Sequence, residues 1–348
     1  MRLGLIVRMD NTGLGTQTWE AYRHLNPSKV MAIDYRMSRP GDQFPDRFDP
    51  SITTIIKGSP SPQEINVFLK GIDILFSCET FYSFYIISRA RELGIKTIIQ
   101  PNFEFSPWMK HPKIARPDCF GLPSKWHFDD FPEPKILLPV PIATDRFVPN
   151  DSGSARKFLH IVGTPAANDR NGTRDLITAL LQVKSDIEVT ITCQKPEYIN
   201  GLLRGQTLPR NIRIKIDTTH YDNYWMIYRG QDVLLMPRRY GGLCLPVNEA
   251  IGSDMPVIMT DIDPNNKWLP KEWLVKSSFD FDFTRGDKET LQVYGVDPKA
   301  LAEKIDKVAG DRDYYAKLKK QAQKLKIANS WEKLLPLYFE TFNTIIKS

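Results

Sequence analysis

Residues 236–261 read MPRRYGGLCLPVNEAIGSDMPVIMTD: an apolar run ends in a Gly-rich turn, and a helix carrying Glu249 begins there. A helix start presents unpaired backbone N–H groups and the positive end of a dipole, so phosphate can sit at the turn while the carboxylate accepts hydroxyls. A nucleotide-sugar carries both kinds of group.

The stretch resembles the donor-binding signature of the large retaining glycosyltransferase family with the GT-B fold, the group 1 glycosyl transferases. Its usual pattern is an aromatic, then Glu-Gly-Phe-Gly-Leu-Pro, two residues, then Glu-Ala. Tyr240, Gly242, Leu245, Pro246, Val247, Glu249 and Ala250 fall on it, and Leu243 and Cys244 fill the places between. Ser253, Asp254, Met255, Pro256 and Val257 stand where the Gly-x-Pro-Val continuation follows. The family's first Glu is Gly241 here, so the chain resembles a divergent member. The resemblance implies an α/β fold of two Rossmann-like domains facing a cleft, with a C-terminal helix crossing back to the N-terminal domain. It also implies transfer of a hexose or pentose from a nucleoside diphosphate sugar to an acceptor hydroxyl, with retention and with no metal or cofactor.

Length and composition agree with that class. At 348 residues the chain suits two domains of roughly 150 residues each. With 41% hydrophobic and 25% charged residues it reads as globular, not disordered. The N-terminal MRLGLIVRM has a short apolar stretch bounded by charge, a first buried strand and not a signal peptide. No run approaches bilayer length, so a soluble cytoplasmic protein without a transmembrane segment is expected. Cys78, Cys119, Cys193 and Cys244 lack Cys-x-x-Cys spacing, and the five histidines form no ligand pair, so buried free thiols are expected, not zinc. A net charge of +6 permits a polyanionic acceptor or an anionic membrane face without requiring either.

Periodicity organises the rest. Strands at 3–7, 30–34, 72–76 and 97–100 alternate with helices at 17–24 and 81–93, the pattern of a parallel sheet covered on both faces. Residues 136–149, ILLPVPIATDRFVP, resemble the family's domain-crossing stretch, and the polar NDSGSA at 150–155 follows. These set an acceptor-binding domain at 1–150 and a donor-binding domain at 151–328. Strands at 158–162, 187–193, 212–216, 233–237 and 256–260 belong to the second, with a helix at 174–183. Trp331, Leu335, Tyr338, Phe342 and Ile345 form an apolar stripe, which makes 329–348 the crossover helix.

Four further segments carry candidate chemistry. NTGLGTQ at 11–17 places Gly13 and Gly15 where the family's first Gly-rich loop lies, letting backbone amides approach a phosphate or the donor sugar. Residues 163–179 resemble the loop whose Arg and Lys hold the donor diphosphate. Thr164 and Asn171 occupy those places, and Arg170 is the natural substitute, with Arg174 second. Gln194, Asp217 and Thr218 end two strands, and Arg239, Gly241, Gly242, Leu243, Cys244, Leu245 and Glu249 complete the donor set. Glu79 and Glu104, each after a strand, are candidates to position the acceptor hydroxyl, with Arg170 as the residue stabilising the leaving group. Trp108, Lys110, Lys113 and Arg116 interleave aromatic and basic character, suited to a saccharide or to nucleic acid. The Asp-x-Asp pairs 261/263 and 280/282 read as turn or surface carboxylates. The acceptor is therefore a saccharide, a protein or DNA. Two rival readings stand beside the first: a glycosyltransferase acting on modified DNA bases, and a nucleotide-sugar-binding protein without turnover, motivated by Thr164, Asn171 and Gly241.

Overall fold

The structure, a computed structural model, describes residues 1–35, 43–106, 114–284, 286 and 289–348. The chain divides into two compact units. One comprises Met1–Pro141 and Trp331–Ser348 with Gly286–Glu289, the other Ile142–Arg285 and Thr290–Ser330.

The first unit holds β1 (Leu3–Arg8), β2 (Lys29–Asp34), β3 (Thr53–Lys57), β4 (Ile74–Cys78), β5 (Lys96–Gln100), β6 (Cys119–Leu122) and β7 (Lys135–Leu137). They form one seven-stranded sheet in the order β3-β2-β1-β4-β5-β6-β7, with parallel neighbours. Every residue of β4 is buried and β1 is nearly so, because helices cover both faces of a parallel sheet. Helices α1 (Gly13–Leu25), α2 (Pro62–Leu69) and α3 (Tyr85–Glu92) connect strands. The sequence pattern passed over α2, although Ser61 and Glu64 close a reciprocal capping box at its start. The strand order reverses between β1 and β4, where parallel sheets open a crevice at their carboxyl ends.

The second unit holds β8 (Lys157–Gly163), β9 (Ile187–Cys193), β10 (Ile212–Asp217), β11 (Val233–Met236), β12 (Val257–Thr260) and β13 (Leu274–Val275). Their order, β10-β9-β8-β11-β12-β13, reverses between β8 and β11. Helices α4 (Thr173–Leu180), α5 (Pro196–Leu203), α6 (Leu245–Gly252), α7 (Pro298–Gly310) and α8 (Arg312–Ala328) complete it. The polar stretch at 150–155 lies within this unit: Asp232 accepts from Arg156 N and Lys157 N, each at 2.8 Å, and from the Asn150 amide. An antiparallel hairpin, β14 (Ser277–Thr284) and β15 (Thr290–Val296), was not anticipated. Its Phe-Asp-Phe-Asp-Phe alternation is a strand period, so Asp280 and Asp282 are surface carboxylates, as expected, but on a strand and not in a turn.

Helix α9 (Trp331–Lys347) belongs to the first unit. Its Trp331, Tyr338, Phe342 and Ile345 join the core formed by Leu5, Phe76 and Ile98. A buried polar network locks it there. Gln100 Nε2 donates to Leu138 O at 2.7 Å and to Tyr338 Oη at 3.0 Å, Tyr338 donates to Pro139 O at 3.0 Å, and Gln17 Nε2 donates to Gln100 Oε1 at 2.7 Å. All four cysteines are buried and free. Among the described residues no helix is long and apolar enough to cross a membrane.

Candidate functional site

The carboxyl end of β11 delivers Pro237, Arg238 and Arg239 to the Gly-rich turn. Arg238 is buried and its Nε donates to Tyr240 O at 3.0 Å, curling the chain back. Arg239, expected at the donor, is engaged by the protein: Nε donates to Tyr294 O at 3.0 Å, Nη1 to Asn168 O at 3.2 Å, and Nη2 pairs with Asp280. It ties the turn to the hairpin. Gly241 sits at φ +99°, a backbone that strains any L side chain, so the family's first Glu and this turn are mutually incompatible. Cys244, where the family pattern has glycine, takes the left-handed backbone at φ +58°.

Two helix starts compete for an anion. At α4 the place is filled: the Asp169 carboxylate accepts from Thr173 N at 3.0 Å, Arg174 N at 2.8 Å and the Tyr198 hydroxyl at 2.8 Å. At α6 the residue before the helix, Cys244, supplies no side-chain cap, and the first turn holds no acid. A positive dipole end without an acid beside it suits an anion.

Glu249 lies on the second turn of α6, beyond that open start. The Tyr228 hydroxyl donates to its Oε2. Tyr228 is buried in a single turn at Tyr224–Tyr228, its ring 5.7 Å from that of Phe147. Burial, and next the Glu249 carboxylate, pushes the Tyr228 phenol well above its usual 10, so it stays a donor. Leu243 and Leu245 are half-buried and Gly242 is buried in the same turn.

The loop after β8 packs on that turn. Arg239 N donates to Arg170 O at 2.9 Å, Tyr240 donates to Ala167 O, and a Cβ on Gly172 would stand 1.8 Å from Pro237 O. The Arg170 guanidinium lies 5.7 Å from the Tyr240 ring centroid, so Arg170 and the α6 turn are brought together. Arg174 points out from α4 and is exposed. The Asn171 amide is spent on Ile161 O at 3.0 Å and Val162 O at 3.3 Å, and Thr164 donates to Gln194 Oε1 at 2.5 Å. Asp217 accepts from Thr219 N at 3.0 Å and from the Tyr221 hydroxyl at 2.8 Å, a turn-closing role, with Thr218 exposed beside it. Beneath the loop His160 is fully buried, its Nδ1 on Leu235 O at 2.8 Å and its Nε2 on Thr173 Oγ1 at 2.9 Å. A carbonyl only accepts, so Nδ1 carries the proton and Nε2 accepts from the threonine.

In the first unit the reason for Gly15 is internal. A Cβ there would lie 2.0 Å from Asp10 O, and Thr12 caps the Gly15 N–H at 3.2 Å; Gly13 opens the helix and is exposed. Glu79 follows β4 at φ +62° and accepts from Asn102 Nδ2 at 2.9 Å, while Glu104 is buried. The hydroxyl of Tyr82, itself at φ +60°, Arg8 Nε and Gln43 Oε1 are buried without a hydrogen-bond partner among the described residues. Trp108, Lys110 and Lys113 lie outside the described residues; Arg116 is exposed and its carbonyl accepts from Arg91 at 2.8 Å. Asp263 pairs with Lys267 at 3.6 Å, and among the described residues no three His, Cys, Asp or Glu side chains converge as a cation site.

No protein-family model matches the chain, and no characterised protein matches it by sequence. Solved structures do match. Sucrose-phosphate synthase from Thermosynechococcus elongatus superposes with a TM-score of 0.70 at 14% identity, covering 100% of this chain and 99% of the other. A glycosyltransferase from Rickettsia africae gives 0.68 at 15% identity, with 100% and 99% covered. Anabaena HepE, in complex with UDP and glucose, gives 0.68 at 8% identity, with 99% and 100% covered. The fold is GT-B.

Sequence reasoning missed two residues in this GT-B chain, Tyr228 and Asp169. Tyr228 lies 21 residues from its partner Glu249, and no spacing rule announces it. Asp169 stands three residues before the cap position Gly172, and it reaches the α4 start only through the turn closed by Gly172 N on Asp169 O at 2.8 Å. His127, which follows the basic aromatic segment in the sequence, stacks its ring on Phe103 with centroids 3.7 Å apart, next in the chain to Glu104.

Proposed function

We propose that the chain is a retaining, metal-independent glycosyltransferase whose second unit binds a nucleoside diphosphate sugar. The observation that carries this reading is the contrast between the two helix starts: α4 has the Asp169 carboxylate on it, whereas the first turn of α6 holds no acid and its Gly-rich turn lies beside Arg170, with Glu249 held by a buried phenol. The diphosphate would sit at the α6 turn with Arg170 on its charge, and Glu249 would accept ribose hydroxyls. In the transfer, the bond from the anomeric carbon to the phosphate oxygen breaks and a bond to the acceptor oxygen forms on the same face. The acceptor proton passes to the leaving phosphate, giving a glycoside and a nucleoside diphosphate. Arg170 and the helix dipole stabilise the charge that develops on the leaving group. Glu79 is the residue we assign to the acceptor hydroxyl, because its left-handed backbone at a sheet's carboxyl end is a cost that a functional position accounts for.

HepE holds UDP and glucose, so uridine is the first base to test. A thermal-shift panel of UDP, GDP, ADP and their sugars is expected to raise the melting temperature with one base. Turnover is then expected to persist in chelator and to fall about 10²–10³-fold in Arg170→Ala. A panel without any shift removes the reading. Binding without hydrolysis or transfer on a broad acceptor set leaves a binding protein instead.

A further inference from the structure

One group of buried polar atoms in the second unit gathers at the end of β12 and in the loop that follows it. Thr260, the last residue of β12, and Asn265, five residues on, are each 1% exposed. Among the described residues Thr260 Oγ1, Asp263 Oδ1, Asn265 Nδ2 and Asn266 Oδ1 have no hydrogen-bond partner. The amide orientation of Asn265 is set by Trp268, whose Nε1 donates to Asn265 Oδ1 at 3.1 Å, which leaves Nδ2 as the open donor. The backbone of this loop is satisfied: Asp261 N donates to Val275 O at 2.8 Å, Asn266 N to Ile262 O at 3.1 Å and Leu269 N to Asn265 O at 3.0 Å. Buried polar groups in native structures are almost always paired, so open ones in an ordered loop mark a place where a ligand or bound water completes them.

Position and chemistry say which ligand. β12 runs parallel to β11, with Met236 beside Met259, so the loop after β12 leaves the sheet next to the Gly-rich turn. The open atoms are one amide donor, one hydroxyl, one amide oxygen and one carboxylate oxygen, that of Asp263, which faces Lys267 at 3.6 Å. That set matches the alternating donors and acceptors of sugar hydroxyls, not a diphosphate.

We infer that Thr260 and Asn265 hold the sugar moiety of the donor and determine which sugar is accepted. This rests on the proposed donor site, and calorimetry with UDP, UDP-glucose, UDP-galactose and UDP-N-acetylglucosamine separates the two. Asn265→Asp keeps the oxygen that Trp268 holds and exchanges only the open nitrogen. Its UDP affinity is expected to stay within about twofold, while affinity for the UDP-sugar that the wild type binds falls about tenfold. Thr260→Val removes a hydroxyl with no protein partner, so it is expected to raise the melting temperature by roughly 2–4 °C and still weaken the same UDP-sugar. Both variants binding UDP and UDP-sugars as the wild type does, or losing both in step, overturns the inference, as does a wild type that binds UDP but no UDP-sugar. A wild type that binds neither UDP nor any sugar overturns the donor site itself.

Discussion

Tyr228 and Glu249 form a pair in which one residue supplies the charge and the other its orientation. A hydrogen bond to a charged group is worth about 1.5–3 kcal/mol, so Tyr228→Phe is expected to weaken UDP binding by roughly tenfold or more without loss of fold. Calorimetry beside circular dichroism checks it; unchanged affinity would show that Glu249 needs no holding. Gly241 supports the opposite kind of expectation. Restoring the family residue, Gly241→Glu, puts a Cβ on a backbone at φ +99° in a buried turn, a strain of order 1–3 kcal/mol. Denaturant unfolding is expected to show destabilisation and no gain in turnover, and a more active, equally stable variant would refute the incompatibility. The identity of Glu249 as a candidate was legible from its spacing to Pro246. Its phenolic partner was not, because a hydrogen bond across 21 residues leaves no periodic trace.

At the scale of elements, β8, β11 and α4 are joined through one buried imidazole. Burial holds His160 below its usual 6.5. As pH falls through 6.5 the unfolded chain gains a proton that the folded chain resists, so stability is complete above that value and is lost on acidification. Melting temperatures from pH 7.5 to 5.5 are expected to fall more steeply in the wild type than in His160→Gln; parallel slopes would exclude the imidazole as the cause. Strands β1, β4 and β11 were readable because apolar runs between turn residues have one physical use, burial inside a parallel sheet. The short β6 and β7 and the hairpin were not read, as two to four apolar residues, or an alternation of Phe with Asp, compete with turn signals of equal strength. The roles of Arg239, Asn171 and Asp217 were out of reach for a related reason. Spacing places a donor or carboxylate on a loop, but only packing decides whether a carbonyl arrives to meet it.

For the whole molecule, the last 17 residues of helix close the core of the unit that begins at Met1. Burying Trp331, Tyr338, Phe342 and Ile345 contributes on the order of 1.5–3 kcal/mol for each side chain, together comparable to the stability of a domain. A chain ending at Ser330 is therefore expected to lose the first unit's fold while the second still binds UDP. Limited proteolysis with mass spectrometry checks this, and a protease-resistant first unit would show that α9 is dispensable. The sequence by itself determined the alternation of strands and helices, the two-unit plan, the stripe that makes α9 apolar on one face, and the turn before Glu249. Those are local patterns, set by burial with periods of two or 3.6 residues. Only the tertiary structure decided which helix start remains open, which arginine is spent, and which buried amide and hydroxyl are left without partners. Each of those depends on which groups the folded backbone brings within hydrogen-bond reach, and hydrogen bonds are saturable: with Asp169 on the α4 start, the α6 start, whose first turn holds no acid, is the one that suits an anion.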